Sequence, residues 1–91
     1  MATAYVTFGT PVTRDVFDGA TARTVTVTTS GVAALTSITA ADGEYVKVYC
    51  TAALYARAGS AVTPLTAEHV PPGIVTYFRA VTGQAVALID V

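Results

Sequence analysis

The sequence has few of the residues on which metal sites and disulfide-stabilised domains depend. It contains one cysteine, one histidine and no tryptophan in 91 residues. A lone cysteine cannot form an internal disulfide, so the disulfide bonds that stabilise small extracellular domains are excluded as the source of stability. Cys50 lies in an apolar row and is expected to be a buried small hydrophobe. His69 lies in a proline-flanked loop without ligands at metal-binding spacing, so we expect it to be solvated and expect no metal or cofactor.

Catalytic chemistry is equally short of candidates. A nucleophile would need a base, and His69 is the sole conventional one, while a buried Cys50 thiol would be a poor nucleophile. Paired carboxylates bracket turns, where such residues usually bond locally or are solvated. These pairs are Asp15 with Asp18 and Asp42 with Glu44. The glycines are scattered singly and form no phosphate-binding loop. We therefore expect no enzymatic activity.

Charge is scarce as well. Charged residues make up 12% of the chain and the net charge is −1, so no basic stripe is available for nucleic acid. The mean hydropathy of +0.57 raises the question of a membrane. The uncharged run from Thr24 to Ala41 alternates like a strand and is rich in Ser and Thr, so we expect no membrane-spanning helix. The N-terminal segment lacks the basic and apolar regions of a secretory signal, which predicts synthesis and retention in a cytoplasm.

Apolar residues, by contrast, are abundant. They make up 53% of the sequence. A domain of this size buries only roughly 60–65% of the surface of its unfolded chain. The surplus must lie outside, and exposed apolar patches usually mark contacts with other subunits. We therefore expect an oligomer or a component of a larger assembly.

Alternation with a period of two, together with Val, Thr and Tyr, predicts an all-β fold. Turn residues at short intervals favour a single small β-sandwich or jelly-roll-like barrel of seven to eight short antiparallel strands, spanning residues 1–91. Ala4–Phe8 is the first strand candidate, and residues 1–11 are also considered as an extended N-terminal arm. The other strand candidates are Val12–Phe17, Ala22–Thr29, Val32–Thr39 (or a short helical turn), the stretch from Glu44 to Gly59, Ile74–Val81 and Ala85–Val91. Residues 61–73 are read as a loop or short edge segment, and the last strand must pair with a sheet of its own subunit or of a neighbour.

The stretch from Glu44 to Gly59, EYVKVYCTAALYARAG, separates an apolar row from a row of tyrosines and cations. Such an unbroken strand would be unusually long, which predicts a bend or bulge near Thr51 to Ala53. A second segment repeats the alternation of tyrosine and arginine. The candidate interface residues are Tyr45, Lys47, Tyr49, Tyr55, Arg57, Tyr77 and Arg79.

Three interpretations of these residues stay open. Tyr and Arg are enriched in binding hot spots, which favours a protein interface, with Lys47 nearer its rim. A solvated outer face with long side chains lying across rings is the second, and a small-ligand site is the third. Arg57 and Arg79 have a further structural alternative, which is pairing with Asp42, Glu44 or Asp90.

The order VKVYCTAALYARAGS followed by VPPGIVTYFRAVTGQAVALIDV resembles small all-β virion proteins of tailed bacteriophages, over about Tyr45 to Val91. The resemblance implies a structural role on the virion, for example decoration or cementing of the capsid surface, with trimers and the major capsid protein as partners. It carries over no catalytic residue and no capsid-contact residue. A tail or neck accessory protein and a carbohydrate-binding or receptor-binding module are the alternatives, although sugar stacking usually favours tryptophan.

Overall fold

A computed structural model of the chain describes residues 2–13, 16–59 and 67–91. All regular secondary structure in these ranges is β-strand, which confirms the all-β prediction. The expected count of seven to eight strands is too low, because the described residues form ten. They are β1 (Thr3–Gly9), β2 (Pro11–Thr13), β3 (Val16–Phe17), β4 (Arg23–Thr28), β5 (Ala34–Leu35), β6 (Tyr45–Cys50), β7 (Leu54–Ala58), β8 (Glu68–Val70), β9 (Thr76–Arg79) and β10 (Val86–Asp90).

The strands form two four-stranded sheets and one two-stranded ribbon. The first sheet has the order β4-β1-β6-β9, the second sheet has the order β5-β10-β7-β8, and the ribbon pairs β2 with β3. All of these strand pairs are antiparallel. Short loops suffice for such pairing, which suits a chain this small.

One apolar core lies between the two four-stranded sheets. The first sheet buries alternate residues of β1 and β6, including Val6, Phe8 and Val48, and the second sheet buries Leu54 and Leu88. Successive side chains of a strand point to opposite faces, so the alternation in β1, β4 and β6 gives the first sheet an apolar inner face and a largely polar outer face. Phe8, Leu54 and Leu88 are the largest fully buried side chains.

The chain passes from the first sheet to the second at residues 51–53. Strand β6 ends at Cys50 and β7 begins at Leu54, in the place where the sequence predicted a bend. Even-numbered residues point to the core on both sides of this corner, because Cys50 and Leu54 are both fully buried. A single alternating sequence therefore supplies the inner faces of two different sheets.

Several segments differ from their predicted extents. Thr3–Gly9, within the segment considered as an arm, pairs with both β4 and β6 as an inner strand. Of the Val32–Thr39 candidate only Ala34–Leu35 is a strand. Glu68–Val70 is a short strand at the edge of the second sheet, as the edge-segment alternative predicted. The last strand pairs within its own subunit, with β5 and β7. Some predicted segments lie partly outside the described residues, which omit Met1, residues 14–15 and residues 60–66. Residues 14–15, with Asp15, belong to the second predicted strand, and residues 61–66 belong to the predicted loop.

A hydroxyl ties the two sheets together beside the start of β1. The Thr29 hydroxyl accepts the Ala2 N–H at 3.1 Å and donates to the Asp90 carboxylate at the end of β10. This hydrogen bond lowers the pKa of Asp90. Thr29 is fully buried and satisfied, so it acts as a fixed link between the first sheet and the second.

Candidate functional site

The outer face of the first sheet gathers most of the predicted interface residues. Cross-strand register places Tyr5 opposite Tyr49, Lys47 opposite Tyr77 and Tyr45 opposite Arg79. Paired residues of neighbouring strands point to the same side of a sheet. We call this surface the tyrosine face, and it consists of Tyr5, Tyr45, Lys47, Tyr49, Tyr77 and Arg79. Its tyrosines are half-exposed, at 43% for Tyr5, 39% for Tyr45, 41% for Tyr49 and 39% for Tyr77.

Two of the predicted interface residues lie elsewhere. Tyr55 and Arg57 belong to β7 and point to the outer face of the second sheet, on the far side of the core. The Tyr55 ring meets the His69 ring edge-on, with 5.6 Å between centroids. The row read from Glu44 to Gly59 is therefore not one surface, because the corner at residues 51–53 assigns its two halves to different sheets.

Tyr5 is a member of the face that the sequence analysis did not nominate. Its ring lies 6.2 Å from the Tyr49 ring, at an interplanar angle of 42°. The alternation in Thr3–Gly9 already put Tyr5 on the side opposite Ala4, Val6 and Phe8. The sequence could not predict that Tyr5 lies beside Tyr49, since strands β1 and β6 are separated by more than thirty residues.

The ribbon covers one part of the tyrosine face, and Gly9 makes this possible. A Cβ built on Gly9 would lie 2.6 Å from Cδ2 of Phe17, so the ring occupies the space that a side chain would fill. Phe17 in turn contacts Lys47, whose Nζ lies 4.3 Å from the Phe17 centroid and 5.8 Å from the Tyr77 centroid. Cation–π attraction between these groups holds the lysine against the face.

An open groove of about 340 Å³ runs between the ribbon and the tyrosine face. It is lined by Pro11, Val12, Thr13, Phe17, Tyr45 and Tyr77. Aromatic rings and aliphatic groups with tyrosine hydroxyls form a surface that suits extended chains or flat ligands. The tyrosine rows of the sequence did not indicate the lining residues of the ribbon, because these come from short strands outside the rows. They are Pro11, Val12, Thr13 and Phe17.

Gly9→Ala is expected to displace the ribbon from the tyrosine face. The new methyl would overlap the Phe17 ring and its Cβ, so the ring must leave its position over Lys47. Overpacking of this kind destabilises by about 1–3 kcal/mol. Chemical denaturation gives the loss of stability, and the NMR shifts of the Lys47 side chain report the loss of the ring. Gly19→Ala is the matched control, since nothing lies within 4 Å of a Cβ there, and an equal effect of both variants would contradict this packing.

The face is positively charged. The outward positions of the four described strands carry Lys47 and Arg79 and no carboxylate, while threonines fill most of the β4 side. Glu44, considered as a partner for Arg57 or Arg79, is instead bonded to Arg23, with two N–O distances of 2.7 Å. The described strand positions of the tyrosine face therefore carry cations without a neighbouring carboxylate.

Cys50 and His69 do not form a catalytic pair. Cys50 is fully buried beside the Val70 carbonyl, and burial raises the pKa of its thiol. His69 is exposed and faces away from the core on β8, a short strand rather than the predicted loop. Within the described ranges, no three His, Cys, Asp or Glu side chains are grouped so as to hold a metal ion. No helix among those residues has the length and apolarity for a membrane crossing.

The described residues of the segment Tyr45 to Val91, for which the sequence analysis predicts a virion role, are distributed over both sheets. Strands β6 and β9 lie in the first sheet, and β7, β8 and β10 lie in the second. The segment thus contributes to the tyrosine face but does not contain it, since Tyr5 and the ribbon come from the N-terminal half. No protein-family model, curated protein or solved structure matches this chain, so its function has to be argued from the geometry of the tyrosine face itself.

Proposed function

We propose that the chain is a non-enzymatic structural protein that docks through its tyrosine face onto another protein. The observation that carries this proposal is the continuous outer surface on which four half-exposed tyrosines surround a lysine held between two rings. Tyrosine offers a large, rigid contact area with a polar end, which is why it is enriched at the centres of interfaces.

The packing of the face supports a preorganised interface. The Tyr5 and Tyr49 rings are in contact, and Lys47 is restrained by Phe17 and Tyr77. Side chains that are already ordered lose less conformational entropy on binding. Lys47 and Arg79, which have no carboxylate beside them among the outward residues of the described strands, add electrostatic attraction to an acidic surface. This attraction raises the association rate and weakens with added salt.

The class of partner that fits best is the shell of a tailed bacteriophage. The resemblance of residues 45–91 to small virion proteins supports a decoration or cement role, with self-association and contact with the major capsid protein at the capsid surface. We read the two four-stranded sheets as one sandwich with the ribbon as an addition, a rigid platform suited to that role. Attachment to tail or neck proteins is the alternative within the same proposal.

The test is co-sedimentation with purified tailed-phage heads that lack this chain. Replacing Tyr49 and Tyr77 by serine should weaken binding about 5-fold or more for each tyrosine, since hot-spot tyrosines exceed about 1 kcal/mol each. Tyr55→Ser is the matched control, because it removes the same side chain from the opposite face, and it should bind normally. Binding to tails alone would favour the accessory role. No binding to either particle, or equal losses in all three variants, would overturn the proposal.

The groove favours a second candidate, a carbohydrate-binding or receptor-binding module. Its aromatic residues Phe17, Tyr45 and Tyr77 could stack on sugar rings, and the cavity of about 340 Å³ would hold a short oligosaccharide. Docking on protein remains the preferred function because the tyrosines extend well beyond the groove. A glycan array separates the two, since specific retention of a sugar would favour the binding module.

A further inference from the structure

Strand β4 is an edge of the first sheet, and its composition is unusual for an edge. Over the described residues it pairs with β1 alone. Edge strands of natural proteins are commonly protected by lysine, proline, a bulge or short length. The sequence of β4 after Arg23 is Thr-Val-Thr-Val-Thr, without charge, proline or glycine. Its single charged group, Arg23, is engaged by Glu44.

The pairing of β4 with β1 determines which backbone groups of β4 bond to β1 and which point away from the sheet. The Thr29 N–H donates to the Ala2 carbonyl at 2.8 Å. In an antiparallel pair every second residue bonds to the partner strand, so the backbone groups of Val27 and Val25 point to β1. The backbone N–H and C=O groups of Thr24, Thr26 and Thr28 consequently point away from the sheet.

The other sheet edges are less suited to pairing. Strand β9 is four residues long and includes Arg79, β5 has two residues, and β8 has three, among them Glu68 and His69. Strand β4 has six residues, and its threonines are exposed. It is therefore the longest edge in the described part of the chain, and its three exposed threonines carry no charge.

We propose that two copies of the chain associate by antiparallel pairing of their β4 strands about a two-fold axis at Thr26. This register is the one that uses all the free groups. Thr26 lies opposite Thr26 of the partner subunit, and Thr24 lies opposite Thr28 of the partner subunit. Each such pair exchanges two backbone hydrogen bonds. On the core side, Val25 lies opposite Val27 of the partner subunit, which extends the apolar inner face.

The register is also electrostatically acceptable. Arg23 lies opposite Thr29 of the partner subunit, so the two arginines are at opposite ends of the junction and do not repel each other. The assembly stops at two copies, because each subunit uses the same edge, β4, and both β4 edges are occupied in the dimer. It joins two tyrosine faces into one continuous surface. It is independent of the proposed function, and it assigns β4 to a dimer, so the trimer implied by the virion resemblance would need another surface.

The first test is the mass of the full chain by size-exclusion chromatography with light scattering. We expect a concentration-dependent shift from the chain mass of 9.3 kDa to twice that mass. Thr26→Lys places like charges at the two-fold axis, and Thr26→Pro removes an N–H that the lone subunit does not use, so both should give monomers. Thr82→Lys, an exposed threonine outside β4, adds the same charge and should leave the dimer intact.

The second test needs no substitution. Amide exchange followed by NMR should show the N–H groups of Thr24, Thr26 and Thr28 protected at high concentration and unprotected after dilution. The N–H groups of Val25 and Val27 bond to β1 and should stay protected at both concentrations. A monomer at every concentration, a trimer, or a dimer whose mass is unaffected by both Thr26 variants and whose Thr26 amide exchanges freely would each overturn the proposal.

Discussion

Phe8→Ala is expected to lower the free energy of unfolding by about 3–5 kcal/mol. Phe8 is fully buried and is among the largest side chains of the core. It lies on β1, the strand held between β4 and β6, so the cavity would open where collapse of the surroundings is most restricted. The Arg23 guanidinium, 5.9 Å from the ring centroid, would also lose its aromatic contact. A domain of this size has a total stability of only about 5–15 kcal/mol, so the variant should be close to unfolded at physiological temperature.

Chemical denaturation followed by circular dichroism measures this loss. Tyr5→Ala is the matched control, because Tyr5 is also an aromatic residue of β1 but points to the outer face. Its loss of stability should be well below that of Phe8→Ala. Phe8→Leu should restore most of the stability, since it refills the cavity with apolar volume. Equal losses for the two alanine variants would contradict the assignment of inner and outer faces on β1.

The long strands were predictable because their signal is local. In β1, β4 and β6 each residue's face follows from simple alternation of apolar and polar side chains. The corner at residues 51–53 was predictable from the limit on strand length and from the small residues there. The bounds of the short strands β5 and β8 were not predictable, because two or three residues carry no periodicity and form strands only through the partners with which they pair.

The site was predictable in part for the same reason. The tyrosine rows predicted exposed side chains, and pairing of β6 with β9 brings Tyr45, Lys47, Tyr77 and Arg79 together. Assignment to a sheet is a tertiary property, so nothing local separated Tyr55 from Tyr49. Phe17 enters the site because the ribbon folds back onto Gly9. The glycine leaves room for this contact, but a single glycine in the sequence does not predict it.

The Arg23–Glu44 pair was not predicted either, and its removal has the second large expected effect. Glu44 was read as a turn residue, yet its side chain is 2% exposed while that of Arg23 is 40% exposed. The carboxylate accepts two hydrogen bonds from the guanidinium and one from the Ala41 N–H at 2.7 Å. The hydrogen bonding from Arg23 lowers the pKa of Glu44 below its ordinary value of 4.5.

Arg23→Met is expected to destabilise the fold by about 2–3 kcal/mol near neutral pH. Removing one partner of a fully buried ion pair costs roughly 3–5 kcal/mol, and the loss is smaller here because Arg23 is partly solvated. The loss arises mainly from a buried carboxylate left without its counter-ion. Glu44→Gln should be milder, since the remaining arginine can be hydrated and the amide oxygen still accepts a hydrogen bond. Urea unfolding of the two single variants and of the double variant gives the coupling between the residues, and the double variant should lose less than the sum of the singles.

The pH dependence distinguishes this ion pair from simple packing. Because the pKa of Glu44 is lowered in the folded state, its stabilising contribution is complete above the unfolded value of 4.5 and is lost as the pH falls through the folded pKa. The stability difference between the wild type and Arg23→Met should therefore shrink as the medium is acidified, since the protonated Glu44 no longer needs a cation. Glu44→Gln, which cannot titrate at this position, provides the reference. A difference that stays constant between neutral and acidic pH would show that Arg23 stabilises the fold through its contact with Phe8 rather than through its ion pair with Glu44.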